Sequence, residues 1–133
     1  MVFVDTSAFC ARYARGDAHH EAASRLWKEL DGTPLITTNH ILEETLTLLA
    51  RRVGYGFAAN LASRVYSSVT LDIIYTTREE EEGALPLFRK FADQKVGFTD
   101  CISFAVMRRH DISTAFTFDR HFIDAGFKVI GLE

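Results

Sequence analysis

Five short runs of aliphatic, β-branched or aromatic residues, Val2–Val4, Leu35–Thr37, Thr70–Tyr75, Thr114–Phe118 and Phe127–Ile130, are separated for most of the chain by stretches with helical spacing. This alternation constrains the fold more than any other feature. Antiparallel strands need only a tight turn between them, whereas a helix between successive strands marks a parallel crossover. Right-handed crossovers then cover both faces of the sheet. An α/β fold with a central parallel sheet of four to five strands is therefore expected.

The helical stretches carry recognisable signals. Ala8–Ala14 is stopped by Gly16, and Asp17 caps a helix whose apolar positions Ala22, Ala23, Leu26, Trp27 and Leu30 share one face. Thr38 or Asn39 starts a helix running to about Val53, and Phe57–Ser67 forms another. Thr77 opens a helix bearing Glu79–Glu82, a run read as complementing the helix dipole and facing water, and Pro86 marks a kink. Lys95–Phe98 is a loop, and Thr99 caps the helix Asp100–Arg109. No linker, repeat or low-complexity segment interrupts the pattern, so the 133 residues are expected to form a single domain, 1–133.

Charge and cysteine usage narrow the function classes. The formal net charge of −3 argues against a broad phosphate-neutralising surface, but it leaves room for a local nucleic-acid site. Cys10 and Cys101 form no C-x-x-C pair, so reduced thiols and a cytoplasmic location are expected. Met1–Asp5 enters a strand pattern directly rather than a signal peptide, and no apolar run is long enough for a membrane helix.

The residues that carry chemistry are acids. Asp5 and Asp119 each follow a strand run, and Asp100 opens a helix. In open α/β sheets, ligands bind beyond the carboxyl ends of the strands, where residues distant in sequence converge. Crowded carboxylates repel, and a hard divalent cation relieves that repulsion. Such a cation also polarises a phosphoryl oxygen and acidifies water, so the set suits phosphodiester hydrolysis. Singly, each acid reads equally well as a helix cap or a partner of the helix dipole. A fourth acid comes from the helix after the second strand. Helical geometry leaves Glu43 and Glu44 both open, with Glu44 nearer the edge of the apolar arc.

Four segments, Val2-Phe3-Val4-Asp5-Thr6-Ser7, Thr37 to Thr45, Phe98-Thr99-Asp100-Cys101 and Thr117-Phe118-Asp119-Arg120-His121-Phe122, occur in an order and spacing that span the chain. Together they resemble the PIN domain, and within it the VapC-type toxin nucleases. The resemblance implies a three-layer α/β/α domain and an acidic pocket holding Mg²⁺ or Mn²⁺. It implies Asp5, Glu44, Asp100 and Asp119 as catalytic metal ligands. Thr6, Ser7, Asn39, Thr99 and Thr117 match positions that support such a pocket by hydrogen bonds. Homodimers and a small antitoxin partner are implied as well.

A metal-dependent endoribonuclease is thus the leading expectation, and a PIN-fold RNA- or protein-binding module that does not cleave is the alternative. A receiver domain would need an acidic pair after the first strand, and an aspartate phosphatase usually has D-x-D; Asp5-Thr6-Ser7 satisfies neither. No Cys/His zinc spacing, G-x-S-x-G or P-loop is present. Arg12 and Arg120 are candidates to hold phosphate, whereas Arg51–Arg52 and Arg108–Arg109 read as helix-end charges. His121 lies close enough to Asp119 in sequence to reach substrate, although a surface histidine is the plainer reading.

Overall fold

The computed structural model describes residues 1–132. Its sheet has five parallel strands in the order β3-β2-β1-β4-β5. They are β1 (Val2–Val4), β2 (Leu35–Thr38), β3 (Leu71–Ile74), β4 (Thr114–Phe116) and β5 (Lys128–Ile130). The helices are α1 (Thr6–Tyr13), α2 (His20–Glu29), α3 (Asn39–Arg52), α4 (Tyr55–Tyr66), α5 (Arg78–Lys90), α6 (Phe98–Arg109) and the short α7 (His121–Asp124). A single 3₁₀ turn, Ala92–Gln94, joins α5 to α6.

The strand order explains the layers. The chain moves outward from β1 through β2 to β3, then returns to the other side of β1 for β4 and β5. Right-handed crossovers in opposite directions place α1–α4 on one face of the sheet and α5–α7 on the other. The aromatic packing agrees. Phe116 of β4 meets Trp27 of α2, with ring centroids 5.3 Å apart. On the opposite face, Phe3 of β1 packs against Phe122, whose ring meets Phe104 of α6 at 5.0 Å. Phe3, Phe104, Phe116 and Phe122 are fully buried, so both faces of the short central strands are closed to water.

Several boundaries differ from the sequence reading for local physical reasons. Helix α6 starts two residues early, at Phe98, capped by the extended backbone of Gly97, whose carbonyl accepts from the Cys101 amide. Thr99 is therefore inside the first turn. Strand β4 stops at Phe116 because the amides of Phe118 and Asp119 bond to the hydroxyls of Ser7 and Thr117 instead of a neighbouring strand. Pro86 lies within α5, which continues through it to Lys90.

The acidic run at the start of α5 is the clearest correction. Glu80 is buried rather than water-facing. Its Oε1 accepts from the Thr77 amide at 2.9 Å while Thr77 Oγ1 accepts from the Glu80 amide at 3.2 Å, a reciprocal capping box. His110 Nε2, at the end of α6, approaches Glu80 Oε2 at 3.0 Å. Burial alone would raise the Glu80 carboxyl, but these bonds from Thr77 and His110 outweigh it and hold the group below its ordinary 4.5. The pair ties α5 to α6, the helix that carries Asp100.

Thr77→Ala is expected to cost about 1 kcal/mol of stability in urea unfolding. Because the folded carboxyl is lowered, Glu80 stabilises fully above about 4.5 and loses that contribution as pH falls through its folded value. The stability gap between wild type and Glu80→Gln should therefore shrink in acid. A gap that stays constant with pH would contradict this account.

Candidate functional site

The reversal of strand order lies between β1 and β4, and the acids gather beyond the carboxyl ends of those two strands. Asp5 directly follows β1 and is 3% exposed. Its Oδ2 accepts from Thr117 Oγ1 at 2.8 Å and from Ser7 Oγ at 3.0 Å. The two hydroxyls lie 3.1 Å apart, and with both protons directed at Asp5 that contact carries none. Each hydroxyl also accepts a backbone amide, Ser7 from Phe118 at 2.9 Å and Thr117 from Asp119 at 3.0 Å. Ser7, Thr117 and Asp5 thus lock the β4–α7 turn onto the start of α1. Gly131, at φ +123°, permits the Thr117 carbonyl to approach; a Cβ there would collide with it.

Asp100, from the first turn of α6, and Asp119 face the same cavity of about 360 Å³. Glu44 of α3 lines it too. Glu43 does not: its Oε1 lies 3.7 Å from His40 Nδ1, with the side chain 64% exposed. The electrostatics separate the neighbours in the same way. Glu44 charge raises Asp100 and Cys10, while Glu43 charge raises Tyr66.

Asp100 is pushed up to about 8, chiefly by burial, then by the charges of Asp5 and Asp119, by a proton shared with Asp119, and by Glu44. Asp5 is also raised, because burial and the Asp119 charge outweigh the bonds from Thr117, Ser7 and the Thr6 backbone. His121 completes the group. Its Nδ1 is buried without a hydrogen-bond partner, 3.1 Å from Asp119 Oδ1 and 3.9 Å from Asp100 Oδ2. One donor atom each from Asp100, Asp119 and His121 lies within 4.8 Å of the others. Predominantly carboxylate oxygen, with Asp5 and Asp100 raised first by burial and then by neighbouring charge, is a donor set that fits a hard divalent cation.

The PIN domain model matches residues 2–128. The chain belongs to the PIN domain family. It is 40% identical over 127 residues to the 23S rRNA-specific endonuclease VapC20 of Mycobacterium tuberculosis, covering 96% of this chain and 95% of that protein. A VapC ribonuclease of Archaeoglobus fulgidus is 36% identical over 104 residues, covering 75% of this chain and 65% of that one. The fold superposes on the crystal structure of the M. tuberculosis VapC20, a sarcin-ricin loop cleaving toxin, with a TM-score of 0.88 at 39% identity over 96% of each chain. This PIN domain is accordingly of the VapC ribonuclease type.

Of the five supporting positions, Ser7 and Thr117 bond to Asp5, and Thr6 and Thr99 line the pocket. The Thr6 hydroxyl has no hydrogen-bond partner. Asn39 acts elsewhere, its Oδ1 accepting from the Thr76 amide at 3.1 Å. Arg12 is not at the pocket. Its guanidinium sits 4.5 Å over the Trp27 ring, beside a larger depression of about 750 Å³ near the amino ends of β2 and β3. Arg120 is exposed and does not line the acidic cavity. The cation that does line it is Arg52, facing Asp17 across 3.6 Å. Neither stood out in the sequence beyond a helix-end charge and a cap, because their meeting depends on how α3 packs against the α1–α2 turn.

Thr117→Val should cost roughly 1–3 kcal/mol in denaturant unfolding, since it strips a buried carboxylate and a buried amide of one partner each. It should also raise the Asp5 carboxyl further, visible as an upward shift in its NMR titration. An unchanged Asp5 titration would show that the hydroxyl does not hold the carboxylate.

Proposed function

We propose that this chain acts as one Mg²⁺- or Mn²⁺-dependent endoribonuclease domain, the toxin of a cytoplasmic toxin–antitoxin pair, with Asp5, Glu44, Asp100 and Asp119 as its metal-holding acids. The observation that carries this reading is the convergence of these four acids on one cavity, with Asp5 and Asp100 both raised, chiefly by burial and then by the charges of their neighbours. The likeness to VapC20 over 96% of the chain supports a loop of 23S rRNA as the substrate. Exposed apolar side chains, among them Tyr55, Tyr66, Leu85 and Phe88, offer surface for a second protomer or an antitoxin.

The bound cation would supply charge neutralisation, polarisation of a phosphoryl oxygen and an acidified water. The protein's own part is to hold the acids in place. Ser7 and Thr117 fix one face of Asp5, leaving its other oxygen for the pocket. Asp119 is oriented by the His121 amide, which donates to its Oδ1 at 2.9 Å. Asp100 must release its proton before it can serve as a ligand, so cation uptake and proton release are linked. Hydrolysis adds the water oxygen to phosphorus, breaks the bond to the leaving ribose oxygen and returns a proton to that oxygen.

The test is cleavage of a sarcin–ricin stem-loop RNA with Mg²⁺ or Mn²⁺. Asp5→Asn, Asp100→Asn and Glu44→Gln should each lose more than about a hundredfold in rate, whereas Glu43→Gln should cleave like wild type. Cleavage that survives EDTA, or survives in both aspartate variants, would refute the metal-nuclease reading. RNA binding without any cleavage would favour the binding-module alternative.

A second expectation comes from the raised Asp100. Between its ordinary 3.8 and about 8, the folded state holds more protons than the unfolded one, so cation-free stability falls as pH rises through that window. Apparent cation affinity rises over the same window, and added Mn²⁺ should stabilise most near its upper end. Thermal melts with and without Mn²⁺ check this, and Asp100→Asn should flatten the cation-free profile.

A further inference from the structure

Among the described residues, Arg52 is the one cationic side chain that lines the acidic cavity. It stands in the last turn of α3 on the same stripe as Glu44 and Leu48, and all three line the cavity at intervals of four residues. At the helical rise, Arg52 lies about 12 Å from Glu44 along the axis. That backbone offset suits a phosphate next to the one held by the acids.

The cavity does not end at Arg52. A second depression of about 360 Å³ is lined by Ala14, Arg15, Gly16, Asp17, Arg52 and Val53. Asp17 and Arg52 belong to both walls, so the two depressions adjoin at that pair, and together they make a trench with acids at one end and Arg15 and Arg52 towards the other. The resting partner of Arg52 is Asp17, with Nη1 to Oδ2 at 3.6 Å and the Arg52 side chain 51% exposed. An ion pair of that length, half in water, holds the guanidinium weakly and leaves its hydrogen-bond donors available. The helix dipole does not explain the placement. Arg51 gains the same benefit at the same helix end and does not line the trench.

We propose that Arg52, with Asp17 as its displaceable counter-ion, is the subsite for the RNA phosphate flanking the scissile one. The trench thereby sets the side of the cut along which the strand continues. The inference rests on the RNA-nuclease reading above. Its chemistry is that of a planar fork of donors matched to two phosphate oxygens. The acid end accepts a phosphate only once a cation is bound, while the Arg52 end accepts one directly.

The experiment measures kcat, KM and the salt dependence of binding on the stem-loop RNA for wild type, Arg52→Gln, Arg52→Lys and Asp17→Asn. Arg52→Gln should raise KM about tenfold with kcat nearly unchanged, and lower the log–log salt slope by about 0.7. Arg52→Lys should keep the slope and fall between the two in KM. Asp17→Asn should not raise KM, because it removes the competing anion while its side-chain oxygen can still accept from the His19 amide, as Asp17 does at 2.9 Å. An RNA truncated on the trench side of the cut should lose its sensitivity to Arg52. If Arg52→Gln matches wild type in KM and slope while wild type cleaves, this inference alone is overturned. It is equally overturned if Arg52→Gln and Asp17→Asn weaken KM alike, since the pair is then a strut between α3 and the α1–α2 turn. If wild type neither binds nor cleaves RNA, the nuclease reading has failed and the inference falls with it.

Discussion

The hydrogen bonds from Ser7 and Thr117 to Asp5 are the contact on which the rest of the site depends. A carboxylate removed from water costs several kcal/mol unless its oxygens find donors. Here those donors come from α1 and from the residue after β4, which ties three parts of the chain to one atom. The arrangement is possible only because the strand order brings β4 directly beside β1. The same two hydroxyls accept the amides of Phe118 and Asp119, so ending β4 and orienting Asp5 are one event. The backbone that places Asp119 is therefore built by the residues that hold Asp5.

Two acids with little side-chain exposure show how structural and functional carboxylates differ. Glu80 has Thr77 on one oxygen and His110 on the other, and it is held below its ordinary value. Asp100 has Asp5, Asp119 and Glu44 as its charged surroundings, and it is pushed up to about 8. The first is satisfied within the fold. The second is left in need of a cation, while the Glu80–His110 contact fastens the far end of the same helix to α5.

The parallel sheet and its helical crossovers were legible from alternation alone, and Asp5, Asp100 and Asp119 were legible as acids at element ends. Such positions depend on local pattern, which a linear reading captures. Glu43 and Glu44 were not separable that way, because each is exposed and the choice rests on where α3 sits relative to α6. Arg52, Asp17 and Gly131 were missed for a related reason: each matters through a residue more than ten positions away. The Glu79–Glu82 run misled in the opposite sense. Its composition signals a solvated helix start, yet Glu80 is buried against His110 and Glu79 pairs with Arg109, both at the end of α6. Short α7 also escaped notice, since four residues are too few for helical spacing to emerge.

The net charge of −3 fits this division of labour. A surface able to neutralise many phosphates would be basic throughout, and this one is not. Five of the eighteen acids, Asp5, Asp17, Glu44, Asp100 and Asp119, line one cavity where a cation would offset them, while Arg15 and Arg52 stand along its continuation. Few phosphates are then gripped at once along that trench. A folded RNA loop presents phosphates at fixed spacing and unstacked bases at fixed angles. An enzyme with few, well-placed contacts gains most from a substrate that arrives already shaped, because the ordering cost of a flexible strand does not fall on those contacts.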